Sequence, residues 1–162
     1  MTSPSNWQIR TATRTDLSAL VALEQKCFDY SQIGYRSFRY LIDSPTAHFV
    51  VCLSATQELL GYYILLTRKN SMKWRLYSIA TAPEHRGLGL GKTLLRHALS
   101  KARQGGAEQF TLEVKVDNTA AIELYRRHHF EVVDLLPDYY GRGADGYRMA
   151  LTLAVLDNLE NR

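Results

Sequence analysis

The sequence predicts a single mixed α/β domain with helices packed on a central sheet, and three observations carry that prediction. Segments with period-two alternation, such as "KWRLYSIAT" and "FTLEVK", are interleaved with segments of helical spacing. At 162 residues and 46% apolar composition the chain has the size of one ordinary domain and buries a core without disulfide or metal. No internal repeat, low-complexity tract or linker interrupts it, so one domain spans 1–162, with 1–5 and 157–162 as loose tails.

Taken in order, "WQIRTAT" reads as a short strand and "TDLSALVALEQKCF" as a helix capped by Thr15 or Asp16, with Leu17, Leu20, Val21, Leu23 and Cys27 near helical spacing. A second helical piece covers Arg36 to Ile42. After Pro45, "HFVVCL" and "LLGYYILLT" flank a turn at Ser54 to Gln57, the pattern of an antiparallel hairpin. "KWRLYSIAT" is a further strand. The next helix carries Leu94, Leu95, Ala98, Leu99 and Ala102 on one face and stops at Gly105-Gly106. "FTLEVK" sets Phe110, Leu112 and Val114 on one side and Thr111, Glu113 and Lys115 on the other. A short helix "NTAAIELYRRHH" and the strands "FEVVDLL" and "YRMALTL" complete the order.

The totals exclude several function classes. A net charge of +4 with scattered arginines and lysines makes no basic stripe for nucleic acid, although it suits a ligand carrying several negative charges. No apolar segment approaches the ~20 residues that span a bilayer, and no basic stretch followed by a long apolar run stands among the first residues. Cys27 and Cys52 lie among apolar neighbours and read as buried reduced thiols. These features predict a soluble, cytoplasmic protein.

The stretch "EHRGLGLGKT", Glu84 to Thr93, joins a strand to a helix through three glycines in five residues. Such a unit suits phosphate, because glycine lets the backbone approach closely and the N–H groups at a helix start favour anions. The template G-x-x-x-x-G-K-[ST] fails, since its first glycine falls on Arg86. The dinucleotide fingerprint G-x-G-x-x-G fails as well, since its third glycine falls on Lys92. The template R/Q-x-x-G-x-G/A fits throughout, on Arg86, Gly87, Leu88, Gly89, Leu90 and Gly91.

With that loop, "YSIATAPEHRGLGLGKTLL", "FTLEVKVDNTAAIELYRRHHF" and "DYYGRGADGYRMAL" together resemble the GCN5-related N-acetyltransferase (GNAT) superfamily, and within it the ribosomal-protein-alanine N-acetyltransferase branch. Residues 74 to 153 carry the resemblance. It implies a mixed, mostly antiparallel central sheet with helices on both faces. It also implies acetyl-coenzyme A as cosubstrate, its pyrophosphate on Arg86 to Lys92 and its pantetheine arm along Ile79, Ala80 and Thr81, where fixed amide dipoles would stabilise an oxyanion.

The resemblance further implies Glu113 as general base and Tyr125 as general acid. A carboxylate near pKa ~4.3 is a weak base for an amine and would work through a water or with a pKa raised by burial, whereas a phenol near ~10 protonates a thiolate at modest cost. A solvent-facing glutamate is the plain alternative at 113; the flanking motifs favour function. Asn118 is expected as a helix cap and, by resemblance, a coenzyme A contact. Tyr139 or Tyr140 would pack on a peptide acceptor, against an ordinary hairpin loop as the alternative. His129 stands where the family usually has glycine before Phe130, a position that favours positive φ. His128 and His129 are adjacent and point apart, so no metal is expected.

The acceptor is expected to be the α-amine of a protein or peptide N-terminus, which is substantially neutral at cellular pH with its pKa near ~7.7–8.0, while lysine near ~10.4 is not. A small amine such as a polyamine, amino acid or aminoglycoside is the rival within the enzyme class. A non-catalytic acyl-coenzyme A-binding module is the rival outside it; Glu113 and Tyr125 speak against that.

Overall fold

A computed structural model describes residues 6–28 and 33–156. The expected loose tails, 1–5 and 157–162, lie outside the described residues. Strands β1 (Gln8–Thr11), β2 (Ala47–Leu53), β3 (Leu59–Leu66), β4 (Lys73–Thr81), β5 (Gln109–Lys115), β6 (Glu131–Leu136) and β7 (Gly146–Thr152) alternate with helices α1 (Leu17–Cys27), α2 (Tyr35–Asp43), α3 (Leu90–Gln104) and α4 (Thr119–Arg127). The strands form one seven-stranded sheet in the order β1-β2-β3-β4-β5-β7-β6. The β4–β5 pair is parallel, and the β1–β2, β2–β3, β5–β7 and β6–β7 pairs are antiparallel. The α/β class and the mostly antiparallel sheet are those expected.

The chain divides into two compact units, residues Met1–Leu66 with Ser78–Ala98 and residues Thr67–Tyr77 with Leu99–Arg162, so β4 and α3 each run through both. In the first unit, Leu17, Leu20 and Leu23 of α1 and Phe38 and Leu41 of α2 are buried with Phe49, Val51, Leu53, Tyr62 and Ile64 of the hairpin. Phe38, Phe49 and Tyr62 form an aromatic knot with centroids 5.6–5.7 Å apart. The N-cap of α1 is Asp16, one of the two caps expected, but its side chain makes no cap bond to that helix. A 3-10 turn, Arg14–Asp16, precedes the helix, and Asp16 reaches back to accept the Thr13 N–H at 2.8 Å, completing a capping box led by Thr13. Both carboxylate oxygens of Asp16 also take the Arg10 guanidinium, at 2.8 and 2.9 Å. Gly61 is there for room: a Cβ would stand 2.7 Å from the Ala80 carbonyl oxygen and 2.9 Å from Leu94 Cδ1.

In the second unit, β5 alternates as expected, with Phe110, Leu112 and Val114 buried and Thr111, Glu113 and Lys115 half-buried. Phe110 meets Phe130 edge to face at 5.7 Å. α3 ends at Gln104, followed by Gly105 against the Trp74 ring and Gly106 at φ +86. His129 holds φ +73, the left-handed conformation expected of its position. No helix among the described residues is long and apolar enough to cross a membrane.

Candidate functional site

In the first unit, β4 leads through a 3-10 turn, Pro83–His85, into the glycine loop. Lys26 of α1 bridges Glu84 at 3.2 Å, and His85 stands 3.6 Å from Glu58. Gly87 and Gly89 take φ +88 and +79, and no atom lies within 4 Å of a Cβ built on either. Glycine is needed there for the backbone conformation, and the space beside it stays open. Leu90 is buried and pins the start of α3, whereas Arg86, Leu88 and Lys92 are exposed. Gly91 lies within the first turn of α3. The Thr93 N–H and hydroxyl both bond the Gly89 carbonyl, at 3.0 and 2.9 Å. The first helical bond therefore leaves the N–H groups of Leu90, Gly91 and Lys92 without helical partners, the arrangement that receives an anion. The Thr93 hydroxyl is turned to its own helix rather than to a nucleotide metal.

Just before the loop, Ile79 and Thr81 are half-buried and Ala80 is buried. The thiol of Cys27 donates to the Thr81 carbonyl at 3.3 Å. Burial pushes that thiol up, with Arg86 opposing. Cys52, fully buried, is pushed up to about 11 by burial. Both cysteines are free thiols, and Cys27 is more exposed than expected.

In the second unit, the Glu113 side chain is only 8% exposed. Its Oε1 lies 2.9 Å from Arg75 Nη2, and its Oε2 accepts from Arg75 Nε at 3.2 Å. Arg148, its direct cross-strand partner on β7, comes within 3.9 Å, and the Tyr139 hydroxyl donates to Oε1 at 3.4 Å. Arg75 also donates to the Tyr139 hydroxyl at 3.2 Å and covers the Tyr77 ring at 5.4 Å. Glu113 and Tyr139 are thus brought together as a pair, while Tyr140 packs edge to face on Tyr139 at 4.9 Å. Arg75 and Arg148 were not singled out in the sequence. Their signal was the alternation of "KWRLYSIAT" and "YRMALTL", which sets both on the outward side of their strands.

Tyr125 is buried on α4, its ring 5.8 Å from Phe130. Asn118 caps the same helix, its Oδ1 accepting from the Ala121 N–H at 3.3 Å. His128 Nδ1 contacts the Leu124 carbonyl at 2.9 Å. Among the described residues, no group of three or more His, Cys, Asp or Glu gathers as metal ligands would. The segment from Asp138 to Asp145 is a bonded loop: Gly143 N–H donates to Asp138 Oδ1 at 2.7 Å and Asp138 N–H to Asp145 Oδ1 at 2.9 Å.

Residues 16–130 match the model of the acetyltransferase (GNAT) family. The N-alpha-acetyltransferase of Sulfolobus acidocaldarius is 31% identical over 159 residues, covering 91% of this chain and 94% of that protein. The N-alpha-acetyltransferase RimI of Mycobacterium tuberculosis is 34% identical over 145 residues, covering 85% and 87%. The crystal structure of the ribosomal-protein-S18-alanine N-acetyltransferase from Escherichia coli superposes with a TM-score of 0.82 at 25% identity, covering 91% of this chain and 94% of that one.

Proposed function

Because the chain belongs to the acetyltransferase (GNAT) family and its relatives make it an acetyl-coenzyme A-dependent N-acetyltransferase, we propose that it acetylates the N-terminal α-amine of a protein or peptide, with the whole chain acting as one catalytic domain. The observation that carries the donor side is the start of α3, where two left-handed glycines beside open space lead into three helix N–H groups without helical partners. There Arg86 to Lys92 would hold the pyrophosphate, and Ile79 to Thr81 and Asn118 the rest of the cosubstrate. When bound, that cosubstrate supplies the activated acetyl group as a thioester.

The relatives' names favour an α-amine as acceptor, and so does its pKa near ~7.7–8.0, which leaves much of it neutral at cellular pH. Glu113 acts in this reading as the general base, through a water, with Tyr139 beside it and Tyr140 behind for the peptide. Tyr125 protonates the departing thiolate.

The test is acetyl-coenzyme A turnover against N-terminal peptides beside polyamines and aminoglycosides. Peptide turnover that falls at least about a hundredfold in Glu113→Gln and Tyr125→Phe supports the reading. Turnover confined to the small amines overturns the acceptor assignment, and unaffected variants overturn the residue roles.

A further inference from the structure

In the second unit the sheet ends at β6, which among the described residues pairs with β7 alone. The outer side of an edge strand presents a row of N–H and C=O groups ready to receive another chain, and proteins commonly blunt it with lysine or proline. The sequence of β6, "EVVDLL", holds neither. It shows solvent an apolar set instead: Val132 is 37% exposed, Val133 57% and Leu135 51%. Its two charged residues, Glu131 and Asp134, are both acidic and both exposed.

The register sorts these side chains by face, because residues directly opposite in an antiparallel pair lie on the same side of the sheet. Glu113 is opposite Arg148, Arg148 is opposite Asp134, and Glu131 is opposite Ala150, two residues further along β7. Glu113, Arg148 and Asp134 therefore form a row across three strands, with Arg148 3.9 Å from Glu113 and 4.0 Å from Asp134. Glu131 stands on that same face. Val132 and Leu135, opposite Met149 and Tyr147, stand on the other, and Val133 is the extra residue of a bulge.

The row leads from the proposed general base to the edge. Neighbouring strands lie ~4.8 Å apart, so a strand added outside β6 stands three spacings, ~14 Å, from the strand of Glu113. An extended chain advances ~3.4 Å per residue and covers that distance in about four or five residues. An acceptor whose α-amine is at Glu113 therefore reaches the edge with about its sixth residue.

Resting on the proposal that the acceptor is a protein N-terminus, we infer that β6 is the docking edge for the acceptor's own following segment, about its residues 6–12, which joins the sheet as an extended strand. The two faces of β6 set the composition of that segment. Every second side chain meets Glu131 and Asp134 and is Lys or Arg, and the alternate ones meet Val132 and Leu135 and are apolar. A second copy of this chain fits less well. Two β6 strands side by side bring four carboxylates together with no basic residue on either strand to offset them. The bulge at Val133 supplies the competing explanation, since a bulge is also a device that keeps an edge from pairing.

The experiment compares two peptides that share their first residues, one of about five residues and one continued to about fourteen with alternating Val and Lys. KM and kcat are measured for both on the unaltered protein and on Glu131→Lys and Leu135→Ala, two exposed positions, with melting temperature and molecular mass in solution. Docking predicts a KM at least about tenfold lower for the longer peptide at nearly equal kcat. Glu131→Lys raises that KM about fivefold and Leu135→Ala about threefold, and neither changes the kinetics of the shorter peptide. Glutamate in place of the peptide's lysines removes the gain. An edge pairs with one side of the incoming strand, so N-methylation of alternate residues abolishes the gain in one parity and spares it in the other. Equal KM at both lengths, or equal loss in both parities, overturns docking. So does a KM that rises alike for both peptides in Glu131→Lys together with a lowered melting temperature, which means that the chain itself covers β6. A mass of two chains that falls to one in the variants assigns the edge to a second copy and overturns it as well. If neither peptide turns over while a small amine does, the protein N-terminus fails as acceptor and docking with it; peptide turnover with equal KM overturns docking alone.

Discussion

Arg75 lies along the carboxylate of Glu113, its Nη2 2.9 Å from Oε1 and its Nε 3.2 Å from Oε2. The Arg75 side chain is 38% exposed and that of Glu113 8%, so the pair straddles the surface. Removing the arginine leaves a nearly buried carboxylate with Arg148 and Tyr139 as its partners among the described residues. Arg75→Met is expected to lower stability by about 1–2 kcal/mol. Adding Glu113→Gln to it should restore at least half of the loss, because no uncompensated charge then remains. Urea unfolding of the two variants checks this; a double variant no more stable than the single would assign the effect to packing of the Arg75 stem.

Asp16 and Glu24 give the stability opposite dependences on pH. Burial alone pushes Asp16 up, but the Arg10 fork and the Thr13 N–H outweigh it and hold its pKa below the ordinary value. A depressed pKa contributes stability that is present above the unfolded-state value of ~3.9 and lost as pH falls through the folded one. Glu24 is raised, so its contribution is present below the unfolded value of ~4.3 and lost as pH rises through the folded one. Asp16→Asn should therefore be less stable at pH 7 and flatten the acid loss below pH ~4. The difference between Glu24→Gln and the unaltered chain should shift toward the variant as pH rises. Unfolding midpoints across the acid and neutral range measure both slopes.

How much of this was legible beforehand follows the range of the interactions. The strands and helices could be read because alternation and helical spacing are local, as in Phe110, Leu112 and Val114 or Leu94, Leu95 and Ala98. The glycine loop and His129 could be read because positive φ is a property of one residue. The partners of Glu113 could not, since Arg75 and Arg148 come from strands 38 and 35 residues away in sequence, joined only by sheet register. The bonds of the buried Tyr62 hydroxyl to Glu24 and Ser78 were hidden for the same reason, and Glu24 sits in "LEQKC", where a helical glutamate ordinarily reads as a solvated side chain. The N-cap position of α1 at Asp16 was legible, but the turn of its side chain back to Thr13 was not, because a 3-10 turn precedes the helix.

His129 carries a strain that glycine would remove. Its φ of +73 costs a side chain about 1–2 kcal/mol, part of which glycine returns through the larger entropy of its unfolded chain. His129→Gly is expected to stabilise by about 0.5–1 kcal/mol, with the His129 N–H to Arg126 carbonyl bond of 3.0 Å retained. Thermal unfolding with turnover as a control reads the effect. A loss of stability would mean that the ring makes contacts worth more than the strain.

Gly89 separates binding of the cosubstrate from stability of the fold. Its φ of +79 is needed for the turn into α3, and a Cβ there meets no atom within 4 Å. Gly89→Ala therefore clashes with nothing, and it costs only about 1 kcal/mol of backbone strain or a small rearrangement of the loop. The rearrangement moves the Gly89 carbonyl that receives both bonds from Thr93, and with it the N–H groups that open the helix. We expect KM for acetyl-coenzyme A to rise about tenfold, equivalent to about 1.4 kcal/mol, with kcat at saturating cosubstrate nearly unchanged. A KM unchanged in Gly89→Ala would remove the left-handed turn from the phosphate cradle and leave Arg86 and Lys92 to hold the anion by charge.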